Sequence, residues 1–228
     1  MAKRPVFIAI DTQPYFCEVE IEFVYAPGFS VVQKQKCIEN LHEQFLKNHP
    51  KQKVLEISSK SKDALGVNLS AFNLMIEPNN KEKYSIEVAF QSSKVFEHGG
   101  PYKDLMMKTS RDAKKDPRLK TSGKLLYFYY GKRKFNLSPN TFFYNWLYVN
   151  TLYLHPELSS QILCYDAFTD IEFNPEKSIN CQARSAALFV ALHRKGLLNI
   201  ALKDKDSFLE IVYGNTKNES ADFEQISF

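Results

Sequence analysis

Glu87, Gln91, Lys94 and His98 punctuate the segment SIEVAFQSSKVFEHGGP, residues 85–101, whose other positions are mostly apolar or small. The segment reads as a helix that begins at Ser85 and stops at Gly99-Gly100-Pro101. At about 100° per residue the four side chains fall within an arc of roughly 60°. Val88 and Val95 flank them on one side, Ile86 and Phe90 on the other. Ala89, Ser93 and Phe96 lie opposite, and Glu97 is the one charged exception. A surface helix has an apolar stripe and a broad polar side. Here the proportions are inverted, so the polar line is expected to face a cavity. Glu87 and Lys94 stand roughly 10 Å apart along a helix axis, too far for an easy ion pair and a fair span for a sugar ring. An ammonium buried without a partner tends to give up its proton. A neutral lysine can attack an electrophilic carbon and hold it as a Schiff base. A carboxylate can move protons or stabilise oxocarbenium-like charge. The first helical turn favours an ionised Glu87, which suits a base or electrostatic partner better than a resting acid. The competing readings are a buried polar network and a solvated face.

The elements that must hold this line are legible in outline. CEVEIEFVY, 17–25, alternates as a strand. After the turn residues Ala26-Pro27-Gly28, Ser30 caps a helix to about Lys47, with Val31, Cys37, Ile38, Leu41 and Phe45 on its apolar side. KVLEISS, 53–59, reads as a strand and LGVNLSAFNLMI as a loop. A basic helix-loop segment follows over 102–122, then KLLYFYYGKRKF as a hairpin. SPNTFFYNWLYVNTLYL and PELSSQIL read as two helices broken at Pro156. AFTDIEFNPEKSI is a strand or loop, and CQARSAALFVALHRKG an Ala-rich helix ended by Gly196. The fold class is α+β.

The chain has 228 residues, 44% of them hydrophobic, enough for one substantial core. No run of about 18 apolar residues appears, which argues against a membrane partner. The start, MAKRPVFIAID, has no signal-peptide pattern. Cys17, Cys37, Cys164 and Cys181 are widely spaced, with no C-x-x-C, so they are expected as reduced thiols of a cytoplasmic protein without a metal site. A net charge of +4 is compatible with an anionic partner.

LSAFNLM at 69–75 and EVAFQSSKVF at 87–96 resemble the NADAR-domain pattern L-S-N-F followed by E-h-x-F-Q-A-x-K-F, with Glu87, Phe90, Gln91 and Lys94 in register. Ala71 replaces the usual Asn, Ser92 replaces Ala, and Val95 delays the aromatic to Phe96. The family's later acidic element has two rival matches. One is DIEFN with SINCQA (Asp170, Phe173, Asn180); the other is LEISSKSKDALG (Glu56, Asp63, Gly66), displaced ahead of the L-S-x-F motif. PGFSVVQKQKCIENLH, RDAKKDPRLK and YDAFTDIEFNPEKSINCQA resemble the NADAR branch paired with DarT-type toxins, which ADP-ribosylate guanine in DNA. The resemblance implies a mainly helical domain over 53–228 with a small sheet, and a strand-helix extension over 1–52 packed on it. It further implies an N-glycosidase that removes ADP-ribose from guanine, with a co-encoded DarT-type toxin as partner and no cofactor. Lys94 would be the covalent group and Glu87 its acid/base or electrostatic partner. Ser70, Phe72, Asn73, Gln91, Trp146, Asp170, Glu172, Asn180 and Gln182 would bind ADP-ribose. Core, capping or solvated roles compete at Phe72, Trp146, the Asp170–Glu172 loop, Asn180 and Gln182. A metabolite N-glycosidase, or a non-catalytic ADP-ribose-binding module, is the alternative function.

Arg111, Lys114, Lys115, Arg118, Lys120 and Lys124 form a basic run, followed by Lys132, Arg133 and Lys134 with Tyr127, Tyr129 and Tyr130 between. Basic groups bind phosphate and aromatics stack on exposed bases. Lys114, Lys115, Arg118, Lys132 and Arg133 are the expected DNA contacts, against the competing reading of a solvated face.

Overall fold

In the computed structural model of the chain, which describes residues 1–78, 82–176 and 178–214, the first element is one that the sequence reading passed over. Strand β1 (Ala2–Ala9) pairs antiparallel with β2 (Phe16–Phe23), from Ala2 opposite Phe23 to Ala9 opposite Phe16. Pro5 hides it, because proline inside a run argues against a strand. On its other side β1 pairs with a later strand at Phe7 and Ile8, and Ala9 N–H donates to the Asp166 carbonyl at 2.9 Å, so among the described residues the Pro5 end has no strand partner there.

Helix α1 (Val31–Asn48) follows, capped as expected by Ser30, and then β3 (Val54–Glu56) and the short α2 (Ala64–Asn68). Strands β4 (Met75–Ile76) and β5 (Tyr84–Ser85) pair with each other and lead into α3 (Ile86–Ser92).

Here the structure corrects the sequence. The expected helix does not reach Gly99. It ends at Ser92, and Lys94–Phe96 form strand β6, with Lys94 opposite Phe128. The Ser92 and Ser93 hydroxyls both donate to the Ala89 carbonyl, at 3.1 and 2.6 Å. Such back-bonding competes with helix continuation, and Val95 and Phe96 suit a strand. His98 leaves the polar line and is exposed in the turn after β6. The Gly99-Gly100 pair serves that turn rather than a helix end: Phe96 N–H donates to the Gly99 carbonyl at 2.7 Å.

The basic segment holds a short 3-10 turn (Lys103–Met107), α4 (Ser110–Lys115) and α5 (Arg118–Thr121). Strands β7 (Leu125–Tyr130) and β8 (Arg133–Phe135) form the expected hairpin, with β6 on its other edge. Helices α6 (Phe142–Tyr153) and α7 (Pro156–Ile162) break at Pro156, β9 (Ala167–Thr169) follows, and α8 (Gln182–Arg194) is the Ala-rich helix. Helices α9 (Leu198–Ala201) and α10 (Lys205–Tyr213) were not expected from the sequence. Residues 215–228, the end of the expected catalytic domain, lie outside the described residues.

The largest sheet has the order β2-β1-β9-β3, with β9 antiparallel to β1 and parallel to β3. Both faces are covered. Val6 and Ile8 join Cys37, Ile38, Leu41 and Phe45 of α1 in one core, whereas Phe7 points into the larger core with Leu188 and Phe189 of α8. Helices α6 and α8 are buried on nearly every side, as a helix without a polar face must be. The fold is α+β, and no helix among the described residues is long and apolar enough to cross a membrane.

Gly100 sits at φ +90, where a Cβ would come within 2.2 Å of the Lys94 carbonyl oxygen. Gly100→Ala is expected to cost more than about 2 kcal/mol in urea unfolding, because backbone strain and a backbone clash coincide. Gly131→Ala, at φ +54 with open space around it, is the control and should cost about 1 kcal/mol.

Candidate active site

Two stretches far apart in character are locked together by backbone geometry. The first-turn amides of α3 have no partner within the helix. Ile86 N–H donates to the Leu74 carbonyl at 3.0 Å and Glu87 N–H to the Ala71 carbonyl at 2.9 Å. Ser85 caps the helix by accepting from Val88 N–H at 3.2 Å. Its hydroxyl meets Ser110 Oγ at 2.7 Å, and Ser110 donates to the Phe72 carbonyl at 3.1 Å. The LSAFNLM loop is thereby stapled onto the start of α3, and α4 onto both.

These elements wall a cavity of about 830 Å³, lined by Glu87, Gln91, Lys94, Lys114, Ser70, Phe72, Phe90, Tyr144, Asp170 and Glu172 among others. That size is ample for a nucleotide-sized ligand. Glu87 is only 6% exposed. Gln91 Nε2 donates to Glu87 Oε1 at 2.8 Å, while the buried Gln91 Oε1 has no partner among the described residues. Lys94 Nζ lies 4.8 Å from the centre of the Phe90 ring. Lys114 Nζ reaches in from α4, 3.7 Å from Glu87 Oε1 and 5.3 Å from the centre of the Phe72 ring. Burial pushes the Lys94 ammonium down to about 8 against the attraction of Glu87, and Lys114 pushes it the same way as burial. Tyr144 is a phenol kept neutral by burial, with the Glu87 charge acting in the same direction.

The second wall is acidic. Because β3 and β9 run side by side, Glu56 faces Thr169. Its carboxylate accepts from Thr169 Oγ1 at 2.6 Å and from Ile171 N–H at 2.9 Å. Thr169 spends its one proton on Glu56, so His42 Nε2, 2.8 Å away, must be the donor to Thr169. His42 is held neutral, pushed down to about 4 by burial. The Asp170 carboxyl is raised far above its ordinary range, first by burial and then by Glu56; burial raises Glu56 as well. The rival acidic motifs of the sequence are therefore neighbours in one wall: Asp170 faces the cavity and Glu56 secures the loop behind it.

A family model for DarT1-associated NADAR antitoxins matches residues 2–222. The chain belongs to that family. A search of curated proteins finds no match to it. NADAR proteins are in general N-glycosidase-like, and this branch is tied to DarT1 toxins. The family match begins within β1, so it takes in the strand-helix unit that precedes residue 53.

For this NADAR chain, the cavity brings together Lys94, Glu87, Gln91, Ser70, Phe72, Asp170, Glu172, Asn180 and Gln182. It does not include Asn73 or Trp146. Asn73 is exposed and donates to the Val67 carbonyl at 2.9 Å. Trp146 is buried against Phe135 and Tyr130, with ring centroids 4.9 and 6.4 Å away. Tyr144, two positions before it, is the aromatic of α6 that reaches the cavity. Periodicity could not single it out, because α6 has no polar face to orient the reading. Ser70 donates its hydroxyl to the Val67 carbonyl at 2.7 Å. Gln182 accepts from Ala71 N–H and donates to the Ile57 carbonyl, both at 2.6 Å, so it ties two cavity loops together. Asp63 caps α2 and accepts from Tyr165, away from the cavity. Glu172 pairs with Lys34 at 3.3 Å.

The expected DNA contacts divide. Lys114 points into the cavity, and Lys115, Lys132 and Arg133 are exposed. Arg118 is committed within the protein: it pairs with Asp104 at 2.6 Å and Asp116 at 2.9 Å and lies 4.4 Å from the Tyr102 ring centre. Among the described residues no group of His, Cys, Asp and Glu is placed to hold a metal ion.

Lys94→Met tests the electrostatics apart from catalysis. With a folded-state value near 8 against 10.5 for the free amine, the ammonium costs stability below pH 8. That cost is relieved as pH rises from about 8 to 10.5, where only the unfolded chain still holds the proton. The variant should be more stable than wild type at pH 7 by roughly 1–3 kcal/mol, and the gap should narrow to under about 1 kcal/mol at pH 10. Chemical denaturation at the two pH values measures it.

Proposed function

We propose that the protein is an ADP-ribosyl glycohydrolase that removes ADP-ribose from guanine bases in DNA and so acts as the antitoxin to a DarT-type ADP-ribosyltransferase. The observation that carries this reading is a lysine amine brought down to about 8 in a cavity whose lining includes the acidic side chains of Glu87 and Asp170.

The bond from the anomeric carbon to the ring oxygen breaks, the exocyclic nitrogen's proton passes to that oxygen, and the carbon becomes an imine with the guanine nitrogen. The Lys94 lone pair adds to that carbon and forms the Nζ–C bond. The bond from carbon to the guanine nitrogen then breaks, and that nitrogen takes a proton. Asp170, whose carboxyl retains a proton well above the ordinary carboxylate range, is the acid of this step. Glu87 stabilises the positive charge that develops on carbon and nitrogen and accepts the proton leaving Lys94. Water then adds to the Lys94 imine, releasing ADP-ribose and the free amine. Gln91 Oε1, buried without a partner among the described residues, accepts a hydrogen bond from the ligand. The exposed Lys115, Lys132 and Arg133 favour a nucleic-acid substrate over a small metabolite, since each can meet phosphate.

An oligonucleotide carrying ADP-ribosylated guanine should release free ADP-ribose with the wild-type protein. Glu87→Ala should slow release by about 100-fold, and Lys94→Ala should abolish it together with any adduct trapped by borohydride. Release should rise with pH through about 8 as the Lys94 amine is freed. Turnover confined to a small glycosylamine, or tight ADP-ribose binding with no release, would falsify the proposal.

A further inference from the structure

Tyr144 brings to the cavity a hydroxyl that the fold itself does not use. One turn along α6, Tyr148 is fully enclosed and donates to the Leu69 carbonyl at 2.8 Å. The indole N–H of Trp146 has no partner among the described residues, but it is sealed in the core. The Tyr144 hydroxyl also has no hydrogen-bond partner among the described residues, and it is not sealed, because its side chain lines the cavity. Tyr144 meets the Phe90 ring edge-on, with centroids 5.3 Å apart and planes at 87°. Lys94 Nζ lies 4.8 Å from the centre of that same ring. Amine and phenol thus border one aromatic wall. A desolvated hydroxyl without a partner costs stability, and here the missing partner can come only from what enters the cavity.

We propose that Tyr144 is a further catalytic residue, the one that carries the proton moved when the ribose ring opens. The inference rests on the proposed glycohydrolase reading for the identity of the substrate. As the bond from the anomeric carbon to the ring oxygen breaks, its electron pair goes to that oxygen. The exocyclic nitrogen forms the C=N bond with its lone pair and gives up a proton. Nitrogen and oxygen sit on the same carbon, so direct transfer would close a strained four-membered ring. Through a hydroxyl the ring has six members. Tyr144 gives its own proton to the ring oxygen, takes the nitrogen's proton, and ends as the phenol it was. Other lining groups are engaged elsewhere: Ser70 and Gln182 are bonded to backbone, and Lys114 is paired with Glu87. Asp170 keeps its proton for the later departure of guanine. Burial, and after it the Glu87 charge, hold Tyr144 as a phenol, so it can pass a proton on but is not left ionised.

Tyr144→Phe in the full chain tests the relay. The probe is ADP-ribose itself, whose anomeric hydroxyl must lose its proton to the ring oxygen in the same way before Lys94 can form an imine. Cyanoborohydride reduces that imine, and mass spectrometry follows the adduct on the peptide carrying Lys94. Tyr144→Phe should slow adduct formation, and ADP-ribose release from an ADP-ribosylated oligonucleotide, by about 100-fold. Affinity for ADP-ribose should change by no more than about 5-fold. The urea midpoint should stay in place, whereas Tyr148→Phe, which orphans the Leu69 carbonyl, should lower it. Wild-type rates of adduct formation and release in Tyr144→Phe would overturn the relay and leave the hydrolase standing. A wild-type protein that forms the adduct but releases nothing from DNA would sink the DNA reading, with the relay still decided by the adduct rates. Neither adduct nor release from the wild type would overturn both.

Discussion

The desolvation of one amine organises this molecule. Lys94 sits where burial outweighs the pull of a carboxylate in the same cavity, and its ammonium is driven down to about 8. That balance requires apolar walls close to Nζ, supplied by Phe90 on one side, and a rigid backbone that keeps the amine from swinging into solvent. The rigidity comes from the strand. Lys94 opposes Phe128 across β6 and β7, and the turn at Gly100 passes directly over its carbonyl. A lysine at the frayed end of a helix could escape to water; one held in a sheet ladder has far less freedom to do so.

The opposing wall solves a different problem. Asp170 must be buried and still hold a definite orientation, although a buried carboxyl without partners is costly. Glu56 anchors the loop through Ile171 N–H and Thr169, and neutral His42 completes the chain from α1. The strand-helix unit at the start of the chain thus has a direct physical link to the acidic wall. Its β1 and β2 extend the sheet, and its His42 supports the loop that carries Asp170. Gly66 fits the same logic: a Cβ there would lie 2.0 Å from the Glu56 carbonyl oxygen, so α2 could not pack so closely behind the acid.

Particular residues mark where sequence reasoning succeeded. The Ser30 cap, the break at Pro156 and the Gly196 stop each act through local backbone chemistry, and all three stand in the structure. The failures are equally physical. Two serines turned α3 into a strand one residue before Lys94, because their hydroxyls took the Ala89 carbonyl. Pro5 masked a strand whose other edge lies partly unpaired. Trp146 drew the eye in a helix with no polar face, and Tyr144 is the side chain that meets the cavity.

The sequence by itself determined the chemistry available: an amine and a carboxylate at fixed spacing among apolar neighbours, a second acidic element, and the motif signature of the family. Those are properties of residue type and local order. Only the tertiary structure decided that Glu56 and Asp170 belong to one wall, that Lys114 enters the cavity while Arg118 is spent on Asp104 and Asp116, and that His42 reaches across from α1. The physical reason is range. Caps and turns are set by neighbours within a few positions, whereas burial and pairing depend on which distant strands and helices share a core.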